Sequence, residues 1–249
     1  MKTKIENCLA VALLVGSTAV AAQINNYQSV TKELLRSPPS GDWLSWRGTQ
    51  ASWGYSALDQ INSENVGQLQ LVWSWAMDDT GAGEAAPLIH DGVMFLPGPR
   101  GVIQALNAAN GNLIWEYRPG ITAAMEGSNA VALGPDQLGA AAMPATAFAG
   151  VGRGVQKNIA IFGDMIYAAT ENASIRAIDA RTGLLVWETP VADPALGYYY
   201  VAGPILANGT LVTGINGCER YKDDVCFITG HDPLTGEEKW RTDTVARPG

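Results

Sequence analysis

Histidine, cysteine and clustered positive charge are all scarce in this chain, and each scarcity removes a class of function. Only His90 and His231 occur among 249 residues, too few imidazoles for a zinc or iron centre built on histidine, so any metal is expected on oxygen ligands. Lysine and arginine total 16 against 24 aspartates and glutamates, and no basic run reaches five residues. That balance argues against a surface that tracks nucleic-acid phosphates, and nucleic acid is set aside as a partner. No apolar run approaches the roughly 20 residues of a membrane-spanning helix, so no integral membrane segment is expected. Long amphipathic helical patterns are missing as well. The apolar fraction of 47% is ordinary for a globular protein and leaves a sizeable core possible.

Residues 1–22 read as an export signal. Lys2 and Lys4 precede a short apolar stretch from Cys8 to Val15, and the small residues Ala19, Val20 and Ala21 follow before Gln23. Cleavage is expected after Ala21 or Ala22, with the mature protein in the periplasm. Cys8 leaves with the signal, and the remaining Cys218 and Cys226 form an even pair in an oxidising compartment, which predicts a disulfide.

Residues 23–68 form an N-terminal lead-in segment, with a short helix expected in 23–40 before the turn at Pro38 and Pro39. From Leu69 onward, short β-rich runs at 71–75, 92–96, 159–162, 165–169 and 210–213 are separated by Asp-Gly, Gly-Asp or Asn-Gly turns, a hairpin pattern. Aligning the chain with itself gives three copies of one unit, at 105–115, 177–187 and 230–240. Each copy holds a strand, a turn led by Asn or Asp and ended by Gly, and a second strand closing on Trp. Each is preceded by a further hairpin. The Asx side chain can cap the turn, Gly takes the positive-φ position, and Trp is expected to fill the space between neighbouring units, its N–H seeking a partner. This predicts an all-β protein, with residues 69–249 a partial β-propeller of about three four-stranded antiparallel blades. Three blades do not close a ring, since propellers have about four to eight, so an open arc or a piece of something longer is expected. Residues 121–150, rich in Ala and Gly, interrupt the repeat and are expected to lie over the axial face of the ring.

The pairing of Asp42 and Trp43 with the stretches 55–62 and 65–69 resembles the lead-in of the PQQ-dependent alcohol dehydrogenases, the quinoprotein dehydrogenase family. The three Trp-ending repeats resemble that family's tryptophan-docking motifs. The resemblance implies an eight-bladed propeller in the full-length family, of which this chain would be the N-terminal part. It also implies pyrroloquinoline quinone (PQQ) lying across the axis beside a calcium ion, and alcohol oxidised by hydride transfer to the quinone with an aspartate as base. A periplasmic electron acceptor such as a cytochrome c would take the electrons.

Carried over by the resemblance, Glu84 stands at the first cofactor-contacting glutamate. A solvated loop carboxylate is the bland alternative. Lys157 stands at a basic residue facing the cofactor's carboxylates, with Arg153 a competitor for that role. Asn216, Gly217 and Cys218 are small or short residues whose backbone N–H groups can approach a planar cofactor, and Glu219 after them aligns with a calcium ligand. That carboxylate has Arg220 and Lys222 as alternative surface partners. The sequence departs from the family pattern at Val151 and Gly152, where other members carry adjacent cysteines, and at Val201 and Ala202, where hydroxyl residues are usual. The family's indole floor, its calcium-binding asparagine and its catalytic aspartate follow a stretch matching 242–249, so no catalytic residue is named and the chain alone is expected to be inactive. Two alternatives share these repeats: a non-catalytic scaffold of the outer-membrane assembly lipoprotein type, and a sugar-oxidising quinoprotein.

Overall fold

A computed structural model of the chain describes residues 23–77, 86–119, 157–218 and 226–244. The expected signal segment 1–22 and the Ala/Gly-rich stretch 121–150 lie outside the described residues. Apart from the short helix α1 (Lys32–Arg36) and single 3₁₀ turns, the regular structure is β. Among the described residues no helix is long and apolar enough to cross a membrane.

Among the described residues twelve strands make three four-stranded antiparallel sheets in simple up-and-down order. The first holds β1 (Leu88–His90), β2 (Val93–Pro97), β3 (Ile103–Asn107) and β4 (Leu113–Tyr117). The second holds β5 (Ala160–Phe162), β6 (Met165–Ala169), β7 (Ser174–Asp179) and β8 (Leu185–Pro190). The third holds β9 (Ile205–Ala207), β10 (Thr210–Gly214), β11 (Phe227–His231) and β12 (Glu238–Asp243). The expected hairpins at 92–96, 159–162, 165–169 and 210–213 therefore form within a residue or so of their expected bounds. The run 71–75 does not. No strand of the described residues pairs with its backbone, and Leu71 and Val72 are exposed.

The repeated unit folds as its turn chemistry dictates. The Oδ1 atoms of Asn107, Asp179 and Asp232 each accept two backbone N–H groups within the turn, from Ala109 and Asn110, Arg181 and Thr182, and Leu234 and Thr235. The closing Gly111, Gly183 and Gly236 have φ of 73°, 74° and 75°, the left-handed region where a side chain is strained. These glycines serve a second purpose. A Cβ on Gly183 would come within 2.6 Å of the Trp115 ring, and one on Gly111 or Gly236 would meet Trp73 or Trp187 as closely.

Each tryptophan thus lies flat on the turn of the next sheet and donates its indole N–H to the carbonyl just after the Asx residue. Trp73 donates to Ala108 O at 3.1 Å, Trp115 to Ala180 O at 2.9 Å and Trp187 to Pro233 O at 3.3 Å. The sheets stack as consecutive blades through these contacts. Trp240 follows the motif but lies over Gly230 of its own sheet and is 41% exposed. Two apolar clusters fill the layers, one centred on Phe95, Ile103, Trp115 and Ile178, the other on Tyr167, Ile175, Leu211 and Phe227.

The lead-in segment straps the blades together. Ile24 N–H donates to Arg181 O, Val30 bridges Gly163, and Trp43 bridges Ile89. His90, 2% exposed, ties strap to blade: Nδ1 is 2.8 Å from Asp42 Oδ2 and Nε2 is 2.7 Å from Gln28 O.

Candidate cofactor site

The segments entering β1, β5 and β9 are stitched together by their backbones. Ala86 N–H donates to Lys157 O and Lys157 N–H to Val201 O, both at 3.1 Å. Two residues before Val201, Tyr199 and Asn216 exchange a pair of backbone hydrogen bonds, Asn216 N–H to Tyr199 O at 2.9 Å and Tyr199 N–H to Asn216 O at 3.3 Å. Lys157 and the Asn216–Gly217–Cys218 stretch, far apart in sequence, are thereby brought to one end of the first strands. Lys157 is exposed, Asn216 and Cys218 half-buried, and Gly217 buried.

Backbone approach is close throughout this end. Gly217 has φ 103°, and a Cβ there would collide with the carbonyl oxygen of Gly197. Gly203 is seated on the backbone of Asn158, whose side-chain Oδ1 accepts the Gly203 N–H at 2.9 Å. At both glycines main chain packs directly on main chain, which holds the segments of this end in a fixed relation. Cys218 and Cys226 form a disulfide with Cα atoms 5.3 Å apart, as the even pair predicted. Both sulfurs face the Ile215 carbonyl, so the bond anchors the two ends of the β10–β11 connection beside Asn216.

Glu84, Arg153 and Glu219 lie outside the described residues. Among the described residues no group of three or more His, Cys, Asp or Glu side chains gathers as a metal site. The fit to a quinone is therefore carried by Lys157, whose cation suits carboxylates, and by the amide of Asn216.

Three groups at this end were not singled out by sequence. Burial pushes the Tyr200 hydroxyl up to about 12, against hydrogen bonds from Thr229 and Thr213. Burial likewise raises the Glu171 carboxyl in the β6–β7 turn, opposed by Arg100 and Arg176. Arg176 itself is 4% exposed, paired with Glu188 at 3.0 Å and set over the Tyr117 ring. A Thr-Glu-Asn turn and an arginine inside a strand carry no sequence signal of this kind.

The family profile described as "Glucose/ethanol/alcohol dehydrogenase, beta-propeller domain" matches residues 43–188, more than half of the chain. The chain belongs to this family. A second profile, "Outer membrane protein assembly factor BamB", matches residues 144–249, the region of the second and third Trp-ending repeats.

Among curated relatives of this dehydrogenase propeller, the quinohemoprotein alcohol dehydrogenase ADH-IIG of Pseudomonas putida is 32% identical over 95% of this chain and 30% of its own length. The dehydrogenase subunit of the alcohol dehydrogenase (quinone) of Gluconobacter oxydans is 32% identical over 99% of this chain and likewise 30% of its own length. The solved structure of the P. putida ADHIIG enzyme superimposes with a TM-score of 0.72 at 31% identity, covering 88% of this chain and 29% of that one. That of Comamonas testosteroni quinohemoprotein alcohol dehydrogenase gives 0.67 at 29% identity. The chain spans about 30% of the length of the curated relatives it matches.

Proposed function

We propose that this chain supplies part of the cofactor-binding face of an exported, PQQ-dependent dehydrogenase that oxidises alcohols in the periplasm and passes electrons to an acceptor such as a cytochrome c. The observation that carries this reading is the backbone seam from Ala86 through Lys157 to Val201, with Asn216 joined beside it at Tyr199. Bound there, PQQ would supply a quinone that accepts a hydride from the alcohol carbon, chemistry that no protein side chain offers.

The chain's own residues act on that ligand by binding and orienting it. The Lys157 ammonium holds carboxylate charge, and the main-chain packing at Gly203 and Gly217 keeps the segments around it in place. Asn216 and Cys218 border the edge, and the disulfide fixes the loop that carries Glu219. Glu84 from the first blade and Glu219, the latter with calcium, complete the proposed set. Proton removal from the alcohol is not assigned to any of these residues.

Titration of the purified chain with PQQ, with and without calcium, followed by tryptophan fluorescence, tests the reading. Saturable binding is expected, weakened about 10-fold or more by Lys157→Ala, the loss of one charge-assisted hydrogen bond. Dye-linked alcohol oxidation by this chain alone is expected to be absent. Binding unaffected by Lys157→Ala would remove the cofactor role from this end, and no binding at all would favour the non-catalytic scaffold reading suggested by the profile match at 144–249.

A further inference from the structure

The three blades turn from first to second strand at equivalent places, and the strap reaches each turn with different chemistry. The first turn is Asp91–Gly92, where Asp42 accepts the Asp91 N–H at 3.2 Å. The second is Gly163–Asp164: Val30 pairs with Gly163, the Ser29 hydroxyl donates to the Asp164 carboxylate, and Arg181 Nη2 lies 3.5 Å from it. Each of these turns carries an aspartate. The third carries Asn208 instead, followed by Gly209, with φ of 47° and 78°.

What the strap brings to this neutral turn is two cations. Lys32 and Arg36 stand one helical turn apart on α1, and the Lys32 ammonium lies over Gly209, 3.3 Å from where a Cβ would be. Together with Leu35, Gln50, Leu206, Asn208 and Gly209 they line a cavity of about 40 Å³, open to solvent, with no acidic residue in its wall. That is room for more than a single water.

Neither cation makes an ion pair within the described residues. The one acid on the helix, Glu33, is held chiefly by its own backbone N–H and by Thr31, which keep its carboxyl below the usual range, and only then by Arg36 and Lys32. Like charges four residues apart on a helix repel. In a chain of formal net charge −8, a recess walled by two cations and two amide side chains is set for a negative group.

We propose that the recess between α1 and the β9–β10 turn binds a small oxyanion, a carboxylate or phosphate group, in the place where the other two turns have an aspartate at hand. Lys32 and Arg36 supply the charge, and the Gln50 and Asn208 amides supply further donors. The site lies at the opposite end of the strands from the candidate cofactor face, and it does not depend on that reading.

The 249-residue chain is tested for thermal unfolding in sodium phosphate and in sodium acetate at fixed ionic strength, with chloride as reference. Phosphate binding is read separately by phosphorus NMR line width. Either oxyanion is expected to raise Tm saturably above chloride. Lys32→Ala with Arg36→Ala should weaken phosphate binding at least about tenfold. Asn208→Asp, which returns a carboxylate to the turn, should abolish the oxyanion response while raising Tm in chloride. Response to only one of the two oxyanions supports the site and identifies its headgroup. Equal Tm in oxyanion and chloride overturns the proposal, as does an Asn208→Asp protein that responds like its parent.

Discussion

The seam between the first and second blades and the seam between the second and third are built by the same motif but saturated to different degrees. At the first, Trp115 is 6% exposed and packs beside Phe95, with Ile178 in the same apolar cluster. At the second, the equivalent of Phe95 is Tyr167, again about 6 Å from its tryptophan, while the residue of the third repeat equivalent to Leu106 and Ile178 is His231. The second seam and its flank keep the Tyr167 hydroxyl and His231 Nε2 buried without a hydrogen-bond partner among the described residues. A docking motif fixes how two blades meet. It does not dictate whether the layer between them is dry.

Trp115→Ala should break this contrast most visibly, destabilising the chain by about 3–5 kcal/mol through loss of a buried ring and its seat on Gly183. Trp187→Ala, at a half-buried ring with the longer 3.3 Å indole bond, should cost less. Urea unfolding of the two variants measures the difference, and equal losses would mean that both seams are equally tight.

Reduction of the Cys218–Cys226 bond comes next. It closes a short loop on the third blade only, with a sequence separation of 8, and its removal should cost about 2–3 kcal/mol. The first seam should be insensitive to it, so hydrogen exchange after reduction is expected to rise in 210–231 and not in 103–117. Uniform exchange across all blades would erase the contrast.

The smallest effect is electrostatic. Burial pushes the His231 imidazole below its ordinary 6.5, with a hydrogen bond to the Gly236 carbonyl opposing. The folded state therefore takes up its proton later than the unfolded chain as pH falls. Stability is full above about pH 6.5 and declines below it, by at most about 1.4 kcal/mol per pH unit until the folded group itself protonates. His231→Leu should remove that slope while changing stability at neutral pH by about 1 kcal/mol or less. A slope that persists in the variant would place its origin elsewhere.

The blades were legible in the sequence because the physics behind them is local. An Asx cap, a positive-φ glycine and a tryptophan at fixed spacing identify one another within eleven residues, as in 105–115. The run 71–75 shows the limit of that reasoning. Its pattern is β, and Trp73 and Trp75 dock as a fourth strand's residues would, but a strand also needs a neighbour for its backbone, which no local pattern supplies. His90 was equally illegible, since its role depends on Gln28 and Asp42, two partners that only the strap's path brings together. At the candidate site, Lys157 and Asn216–Cys218 came from family resemblance, and their convergence depends on backbone bonds across more than forty residues. The recess at Lys32 and Arg36 has no local signature either, since it exists only where α1 of the strap meets the turn at Asn208 and Gly209.

The strap also bears on the order in which the molecule can be assembled. Residues 24 to 43 leave the ribosome before any blade, yet their partners include Ile89, Gly163 and Arg181. At about 5–20 residues per second, the 157 residues between Ile24 and Arg181 correspond to roughly 8–30 s of synthesis. During that interval Ile24, Tyr27 and Val30 have no second blade to cover them. The strap's contacts thus wait on chain made well after it, and a chaperone or export factor that recognises unpaired apolar segments would meet the strap before any blade could claim it.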